Sequence, residues 1–293
     1  MKTNNLAIYI ASLRQPIVAI EDTYLSAADE QNATMTYVRL MYQGKHFSGT
    51  IFEQGDVYTQ LIEYQDGVLH GKNASFSEKG ILLEESIYDN NEEISGKSWY
   101  EENGALKSAW GENNHTAWYE DGLLFYEKQH DPKTQSTEEK FYFRNGKVKT
   151  KGGNQHKGRS YFTCFFRDGS EIYTLTHAYG HTPKSFQYKH ENCLRNYKSL
   201  LDSPIEADDH YQSEEERLNF IWLWLWRLLE ENKFQFFEVV ADMLLHHNEQ
   251  VAQRSAYTLL NKGYKTEIIH YFESSFRGDE EYKKLILSAL QKL

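Results

Sequence analysis

The sequence predicts an α+β fold, in which an antiparallel β-sheet of repeated hairpins is followed by an all-α domain of helical hairpins. Two observations support this prediction. Turn glycines recur with a period of about 23 residues in the first part of the chain, and apolar residues recur at helical spacing from Ser213 onward. With 293 residues, of which 40% are hydrophobic, the chain is long enough to bury a core. We predict two domains, residues 1–195 for the hairpin sheet and residues 196–293 for about five helices.

Glycines mark the predicted hairpin turns. They stand at positions 55, 80, 104, 122, 146 and 169, and five turns carry Asp-Gly or Asn-Gly: Asp66-Gly67, Asn103-Gly104, Asp121-Gly122, Asn145-Gly146 and Asp168-Gly169. Such dipeptides suit the positive φ angles of a two-residue type I′ turn. That turn places the residue three before the glycine opposite the residue two after it. The predicted cross-strand pairs are Phe52 with Val57, Tyr64 with Leu69, Tyr119 with Leu124, and Phe143 with Val148.

Other segments complete the predicted architecture. Residues 6–10 and 17–20 are predicted to be two strands that cap the first hairpin. The segment HDPKTQSTEEK, which begins at His130, lacks the turn glycines and contains Pro132, so we predict a protruding loop or insertion. Near the C-terminus, breaks at residues 232–233, 247–248, 263 and 278 separate five helices whose short links are typical of a small bundle or a helical-hairpin solenoid.

The apolar positions of these five helices recur at i, i+3 or i+4, and i+7, as expected for helices that bury one face. The last helix is predicted to bury Leu285 and Ala289. The predicted core positions of the other four are Leu218, Ile221, Leu225, Leu228, Phe237, Val240, Leu244, Ala252, Ala256, Leu259, Ile268 and Phe272.

Repeated units in the first part of the chain, such as YQDGVLHGKNASFSEKGILLEESIY and GKSWYEENGALKSAWG, combine Tyr/Phe-x-x-Gly with Gly-Lys-x-x-x-Tyr/Phe. Over about residues 37–175 they resemble the MORN-type repeat, in particular the variant in the antitoxin component of the bacterial YwqJK toxin–antitoxin module. The resemblance implies a sheet of repeats that binds another macromolecule. It further implies an antitoxin or immunity protein that binds and neutralises a cognate bacterial toxin.

Charge is unevenly distributed along the chain. Overall, 43 acidic residues against 32 basic ones give a net charge of −11, which disfavours binding to nucleic acid or to an anionic membrane. Residues 53–127 contain 16 acidic residues and 4 lysines, a net charge of −12, whereas residues 128–195 contain 6 acidic and 13 basic residues, a net charge of +7. The predicted partner is therefore a toxin with a basic binding surface.

The acidic segment also carries large aromatic side chains, which are the usual anchors of protein interfaces. An alternative interpretation is that the carboxylates are solvated outward positions and the aromatic residues form a core face. The predicted partner-binding residues are Glu84, Glu85, Glu92, Glu93, Trp99, Tyr100, Glu101, Glu102, Trp110, Trp118 and Tyr119.

Two further patterns leave alternatives open. A basic segment, in which lysines alternate with Val148 and Thr150, suits either an anion-binding stripe or a solubilising sheet edge that blocks aggregation. Its members are Lys147, Lys149, Lys151, Lys157 and Arg159. A zinc site is compatible with the spacing of His177, His181, His190 and Cys193, although a second cysteine pair is missing. We predict no metal or cofactor, and whether these four residues hold a metal stays open.

Catalytic motifs are not found: the sequence has no phosphate-binding glycine loop, Gly-x-Ser-x-Gly elbow or His-Glu-x-x-His helix. Cys164 lies in the apolar segment YFTCFF, where a buried structural thiol is expected. Two cysteines and no recognisable export signal favour the cytoplasm, and the apolar residues 220–229 fall short of the roughly 20 needed to cross a bilayer. We therefore expect a cytoplasmic binding protein; the alternatives are a MORN-repeat scaffold or membrane-peripheral adaptor, and an enzyme with a helical catalytic domain.

Overall fold

The computed structural model describes residues 5–13, 17–19, 25–31, 36–155, 159–178, 185–231 and 233–293. The chain packs into two compact units. The first consists of Met1–Phe162 with His177–Thr182, and the second of Thr163–Thr176 with Pro183–Leu293. The fold is mixed, as predicted: consecutive antiparallel hairpin strands are followed by helices. The boundary between residues 195 and 196 stays a prediction.

Most of the first unit is strand. From β5 to β14 each strand pairs antiparallel with the next along the chain, β1 pairs parallel with β5, and β2, β3 and β4 form a separate small sheet. The strands are β1 (Ile17–Ala19), β2 (Leu25–Gln31), β3 (Thr36–Tyr42), β4 (Lys45–His46), β5 (Gly49–Gln54), β6 (Tyr58–Gln65), β7 (Val68–Ser77), β8 (Leu82–Asp89), β9 (Glu92–Trp99), β10 (Leu106–Gly111), β11 (Asn114–Trp118), β12 (Leu124–Asp131), β13 (Ser136–Tyr142), β14 (Val148–Gln155) and β15 (Arg159–Phe165), which continues into the second unit.

The first predicted strand is wrong. Residues 6–10 belong to a helix, α1 (Asn5–Ser12), because their apolar side chains share one helical face. This face covers a buried cluster of Leu61, Ala74 and Phe76, and it consists of Leu6, Tyr9, Ile10 and Leu13. The second prediction is confirmed for residues 17–19, which form β1 and cap the sheet beside β5; Ile20 lies outside the described residues.

Most of the Asp-Gly and Asn-Gly turns are not two-residue type I′ turns. At Asn145-Gly146 only the glycine has a positive φ, 79°. The Gly146 N–H donates to Phe143 O (2.8 Å), the Phe143 N–H donates to Lys147 O (2.8 Å), and the Lys147 N–H donates to Asn145 Oδ1 (3.0 Å). This is a three-residue loop closed by a left-handed glycine and an Asx hydrogen bond. The same Asx bond forms at Asn103, Asp121 and Asp168.

These loops shift the strand register by one residue. Val148 lies opposite Tyr142 instead of Phe143, and Leu124 lies opposite Trp118 instead of Tyr119, so those two predicted pairs are wrong. The pair of Phe52 with Val57 is also wrong, because Phe52 lies opposite Leu61. The pair of Tyr64 with Leu69 is confirmed, since Asp66 and Gly67 both have positive φ, as a type I′ turn requires.

The segment from His130 is a regular hairpin, so the predicted protruding loop or insertion is wrong. Strand β12 continues to Asp131 and β13 begins at Ser136. The Asp131 carboxylate accepts the Lys133 N–H (2.9 Å), and Gln135 has a positive φ of 54°. A capping carboxylate and one left-handed residue therefore close this turn without glycine.

The second unit contains strands β16 (Glu171–Ala178) and β17 (Ser185–Tyr188) and helices α2 (His190–Asp202), α3 (Glu214–Glu231), α4 (Lys233–Leu244), α5 (Glu249–Lys262), α6 (Lys265–Ser274) and α7 (Glu280–Lys292). The five predicted helices correspond to α3–α7, whereas α2 was not predicted. In α7 the buried residues are Ile286 and Leu290, and Leu285 is 57% exposed, so the predicted burial phase is wrong by one residue. No helix in the described ranges is both long and apolar enough to span a bilayer.

Asp242 joins three helices of the second unit. Its carboxylate, on α4, accepts hydrogen bonds from Tyr197 on α2 and from Tyr282 on α7 (2.7 Å), and it pairs with Lys198 (2.8 Å). Hydrogen bonds from Lys198 and both tyrosines outweigh the effect of burial and lower the pKa of this carboxyl. The aspartate therefore stays charged while it holds α2 and α7 against α4.

We expect Gly146→Ala to lower the free energy of unfolding by about 1 kcal/mol, because a side chain is strained at positive φ. A Cβ at this position would meet no atom within 4 Å, so the cost comes from the backbone alone. Chemical denaturation measures the change. Gly111→Ala is the matched control, since its Cβ would have only ordinary contacts from 3.6 Å. Equal stability of wild type and Gly146→Ala would contradict the turn assignment.

Candidate functional site

The sheet from β8 to β14 has two sides with different chemistry. Residues directly opposite each other in paired strands point to the same side. The register places Trp110 opposite His115, and Tyr126 opposite Phe141. His115 and Tyr126 share a side, because Ala117, two residues after His115 in β11, lies opposite Tyr126. We call this side the aromatic face. The other side, which carries Glu127, Glu138, Lys140 and Lys151, is called the ion-pair face.

Rings on the aromatic face form a continuous series of contacts, called the aromatic ladder. Ring centroids are 6.1 Å apart for Trp110 and His115, 5.3 Å for His115 and Tyr126, and 4.7 Å for Tyr126 and Phe141. Phe125, which lies 5.6 Å from Phe141, contacts the ring of Tyr119 at 5.1 Å. Such spacings favour edge-to-face or tilted ring contacts. The ladder therefore crosses strands β10–β13 as one apolar stripe.

The ladder remains accessible to solvent. Its rings are partly exposed, and Phe125 is 37% exposed. A cavity of about 530 Å³ opens beside its β10–β11 end, and its lining includes Trp110, His115, Lys128, His130, Asn113 and Asn114. The lining is mostly polar and also includes Ser108 and Glu112, so Trp110 supplies an aromatic wall among groups that can form hydrogen bonds.

Three of the predicted residues lie on the same side of the sheet at one end of the aromatic face, which we call the acidic corner. The Trp110 indole N–H donates to Glu93 Oε1 (2.7 Å). Glu84 is on the same side as Trp110. Ser98 lies opposite both Glu84 and Ser108, and Ser108 is two residues before Trp110 in β10. Burial, followed by the nearby Glu93 carboxylate, raises the pKa of Glu84, and Lys107 opposes this shift. The two carboxylates therefore repel each other beside the indole.

The remaining predicted glutamates lie elsewhere. Glu85 is on the ion-pair face, where it pairs with Lys72 (3.2 Å). Glu92 follows the turn formed by Asn90 and Asn91. Glu101 and Glu102 lie in the loop before β10, and Glu101 is 3.7 Å from Lys79.

The remaining predicted aromatic residues lie near the loops that contain Gly104 and Gly122. Trp99 lies opposite Leu106, and the Tyr100 hydroxyl donates to Trp118 O (2.9 Å). The Tyr119 hydroxyl donates to Tyr142 O (2.9 Å). Each hydroxyl joins its own hairpin to the next one along the chain, so Tyr100 and Tyr119 have a structural role.

The ion-pair face satisfies its own charges. Glu138 accepts hydrogen bonds from Lys140 (2.8 Å), Lys151 (2.7 Å) and Tyr161 (2.9 Å). These bonds lower the pKa of Glu138 to about 2. Lys140 also bonds Glu127 (2.9 Å). Charged groups on this side are therefore paired within the sheet, unlike those of the acidic corner.

The lysine stripe is not a sheet edge, so that alternative is wrong. Strand β14 lies between β13 and β15 in the sheet, and Lys151 bonds Glu138 across the pairing with β13. The Lys149 ammonium lies 5.9 Å from the centre of the Phe143 ring, a cation–π distance. Lys157 lies outside the described residues. Part of the positive charge of residues 128–195 is therefore compensated locally.

The proposed zinc ligands cannot be compared as a set, because the side chains of His177, His181 and His190 lie outside the described residues. Cys193 is fully buried, and burial raises the pKa of its thiol to about 12. A thiol must lose its proton to bind zinc, so this environment disfavours Cys193 as a ligand.

A second group of metal-type side chains, Asp202, His246 and His247, has its ligand atoms within 4.8 Å of one another. The Asn248 N–H donates to His246 Nδ1 (3.0 Å), which places the proton of neutral His246 on Nε2. That nitrogen is 3.2 Å from Asp202 Oδ1 and donates to it. His246 therefore serves as a hydrogen-bond bridge, and a metal at Nε2 would have to displace its proton.

Cys164 is 2% exposed, as expected for the apolar segment around it. Its Sγ lies 3.6 Å from His210 Nε2, which is also 2.8 Å from Phe165 O. The His210 ring stacks on Phe220 at a centroid distance of 5.2 Å. The thiol and imidazole are thus enclosed within the second unit.

Sequence reasoning did not find His115, Tyr126 and Phe141 as part of the site. Each is an aromatic residue in an alternating strand, which was the only available signal. Their adjacency depends on the register across β11–β13, which shifts between Ala117 and Trp118 and between Phe141 and Tyr142. No protein-family model and no curated protein matches this chain.

We expect Glu138→Gln to lower the free energy of unfolding by about 1 kcal/mol at pH 7, because two ion pairs and a hydrogen bond are weakened. A carboxyl with a depressed pKa stabilises the fold above its unfolded-state pKa, and this contribution is lost as pH falls toward about 2. The variant should therefore show a shallower loss of stability between pH 5 and pH 2, measured by urea denaturation. Glu139→Gln, which removes one pair with Lys128, is the control. Identical acid slopes for wild type and Glu138→Gln would contradict the argument.

Proposed function

We propose that this protein is an antitoxin or immunity protein that binds a bacterial toxin through the aromatic face and neutralises it in the cytoplasm. The observation that supports this most directly is the solvent-accessible aromatic ladder, which ends beside two carboxylates on the same side of the sheet. Exposed aromatic residues supply interface anchors, and carboxylates attract a basic surface. The recurring glycine loops are consistent with MORN-like repeats of about 23 residues, and the resemblance of those repeats supplies the class of partner.

The difference between the two faces supports protein binding over catalysis. On the ion-pair face, glutamates, lysines and tyrosines bond to one another, so a partner there would have to disrupt existing bonds. The aromatic face also carries the Lys128–Glu139 pair (3.1 Å), because Lys128 lies opposite His115, but the rings beside this pair remain accessible. A rigid sheet with accessible anchors suits recognition, because few side chains must become ordered when the partner binds. We accordingly propose a binding protein that requires no cofactor.

A MORN-repeat scaffold or membrane-peripheral adaptor is the alternative function. It would use the basic residues 128–195 to contact anionic groups. Within the described residues, however, Lys128, Lys140 and Lys151 are paired with glutamates, and Arg144 is paired with Asp121. This compensation favours a basic protein partner over a membrane or a nucleic acid.

Co-expression tests the proposal. The proposal predicts that the product of the neighbouring reading frame stops growth, that this protein restores growth when both are produced, and that the two copurify. Trp110→Ala combined with Tyr126→Ala should weaken the complex about 100-fold, because two interface anchors are removed. Isothermal titration calorimetry measures the affinity.

The matched control is Glu85→Gln combined with Lys97→Gln, which changes strands β8 and β9 on the ion-pair face. This control should bind as the wild type does. A wild-type protein that neither protects cells nor forms a complex would refute the function, and equal affinities for both double variants would refute the choice of face.

A further inference from the structure

The acidic corner places two carboxylates, those of Glu84 and Glu93, and one ammonium group, that of Lys107, next to a fixed aromatic ring. Glu84 and Glu93 repel each other, as the raised pKa of Glu84 indicates. Lys97 lies opposite Glu85 and Ala109, which places it on the ion-pair face. Lys107 does act on Glu84, but its ammonium also lies 5.7 Å from the centre of the Tyr100 ring. A cation supplied from outside would therefore relieve the repulsion at this corner.

The indole of Trp110 is held in place. Its N–H donates to Glu93 Oε1, and Gly96, directly opposite Trp110 on β9, leaves room for the ring. A Cβ at position 96 would lie 2.3 Å from the Trp110 ring, so only glycine allows this close approach. The bond from Trp110 uses one oxygen of Glu93, and Oε2 remains an acceptor. Tyr88, opposite Glu93, adds a second ring at the same corner.

From this arrangement, we infer that the acidic corner receives one arginine side chain of the protein partner, with its guanidinium stacked on Trp110 and bonded to Glu93 and Glu84. The inference rests on the proposed function and specifies what the partner must present. A planar guanidinium stacks on an aromatic ring and donates several hydrogen bonds to carboxylates in the same plane. A lysine ammonium lacks this flat shape and is more strongly hydrated.

The test follows the tryptophan indole N–H signals of the ¹⁵N-labelled full-length chain by nuclear magnetic resonance. The Trp110 signal is the one lost in Trp110→Phe. A short peptide of alternating glycine and arginine should shift this signal with saturation. The same peptide with citrulline, which has the shape of arginine without its charge, should leave the signal unshifted. A peptide of alternating glycine and lysine should bind more weakly than the arginine peptide.

Glu93→Gln should reduce the affinity of the arginine peptide at least tenfold. Glu120→Gln is the matched control, because it removes the same charge from an exposed position in the loop after β11 and should leave the affinity unchanged. Unchanged signals of the other tryptophans show that each variant is folded. The inference is overturned by an unmoved Trp110 signal, by equal binding of the citrulline or lysine peptide, or by equal weakening in both variants.

The outcomes separate this inference from the proposed function. If Glu93→Gln binds the toxin as tightly as the wild type while the Trp110/Tyr126 double variant does not, the arginine assignment fails and the function stands. If the wild type binds the arginine peptide but does not protect cells from the toxin, arginine binding by the acidic corner is supported and the antitoxin function fails.

Discussion

One recurring hydrogen bond governs the geometry of the sheet. In it, the backbone N–H of the residue after a turn glycine donates to the side chain of the Asp or Asn that precedes the glycine. In the loop at Asn145-Gly146, this bond and the left-handed glycine insert one residue more than a type I′ turn would. Each such insertion moves the following strand by one position, and a shift of one position exchanges the side of every side chain. The register therefore decides which residues meet on each side.

The candidate site is a direct result of that register. Trp110, Glu93 and Glu84 come together although 26 positions separate the first and last of them in the sequence. Glu85, the neighbour of Glu84, points to the other side and pairs with Lys72. Consequently the charged groups of the ion-pair face bond to one another, while the aromatic face combines accessible rings and the Lys128–Glu139 pair with two neighbouring carboxylates at the acidic corner. This asymmetry is the physical basis for assigning partner binding to the aromatic face.

The helical unit was more predictable than the sheet, because helix boundaries depend on local signals. Asn248 and Asp279 cap α5 and α7, and Gly263 ends α5 in the left-handed conformation. Helix α2 was missed because it ends at Asp202, before Ser213, where the helical spacing of apolar residues begins. The burial of Ile286 in place of Leu285 depends on the rotation of α7 against its neighbours, since both residues are apolar and adjacent. Residues 6–10 are all apolar, so periodicity within this short run could not distinguish a strand from a helix in which Leu6, Tyr9 and Ile10 share a face.

The sequence by itself determined that hairpin strands precede a run of helices, where the turn glycines stand, and that acidic and aromatic residues are concentrated between positions 53 and 127. These properties depend on backbone conformational preferences and composition, which act over a few residues. Only the tertiary structure decided that Trp110, His115, Tyr126 and Phe141 form one ladder and that Glu84 and Glu93 share its end. That grouping depends on hydrogen-bond register between strands distant in sequence, and a single bulged residue is enough to change it.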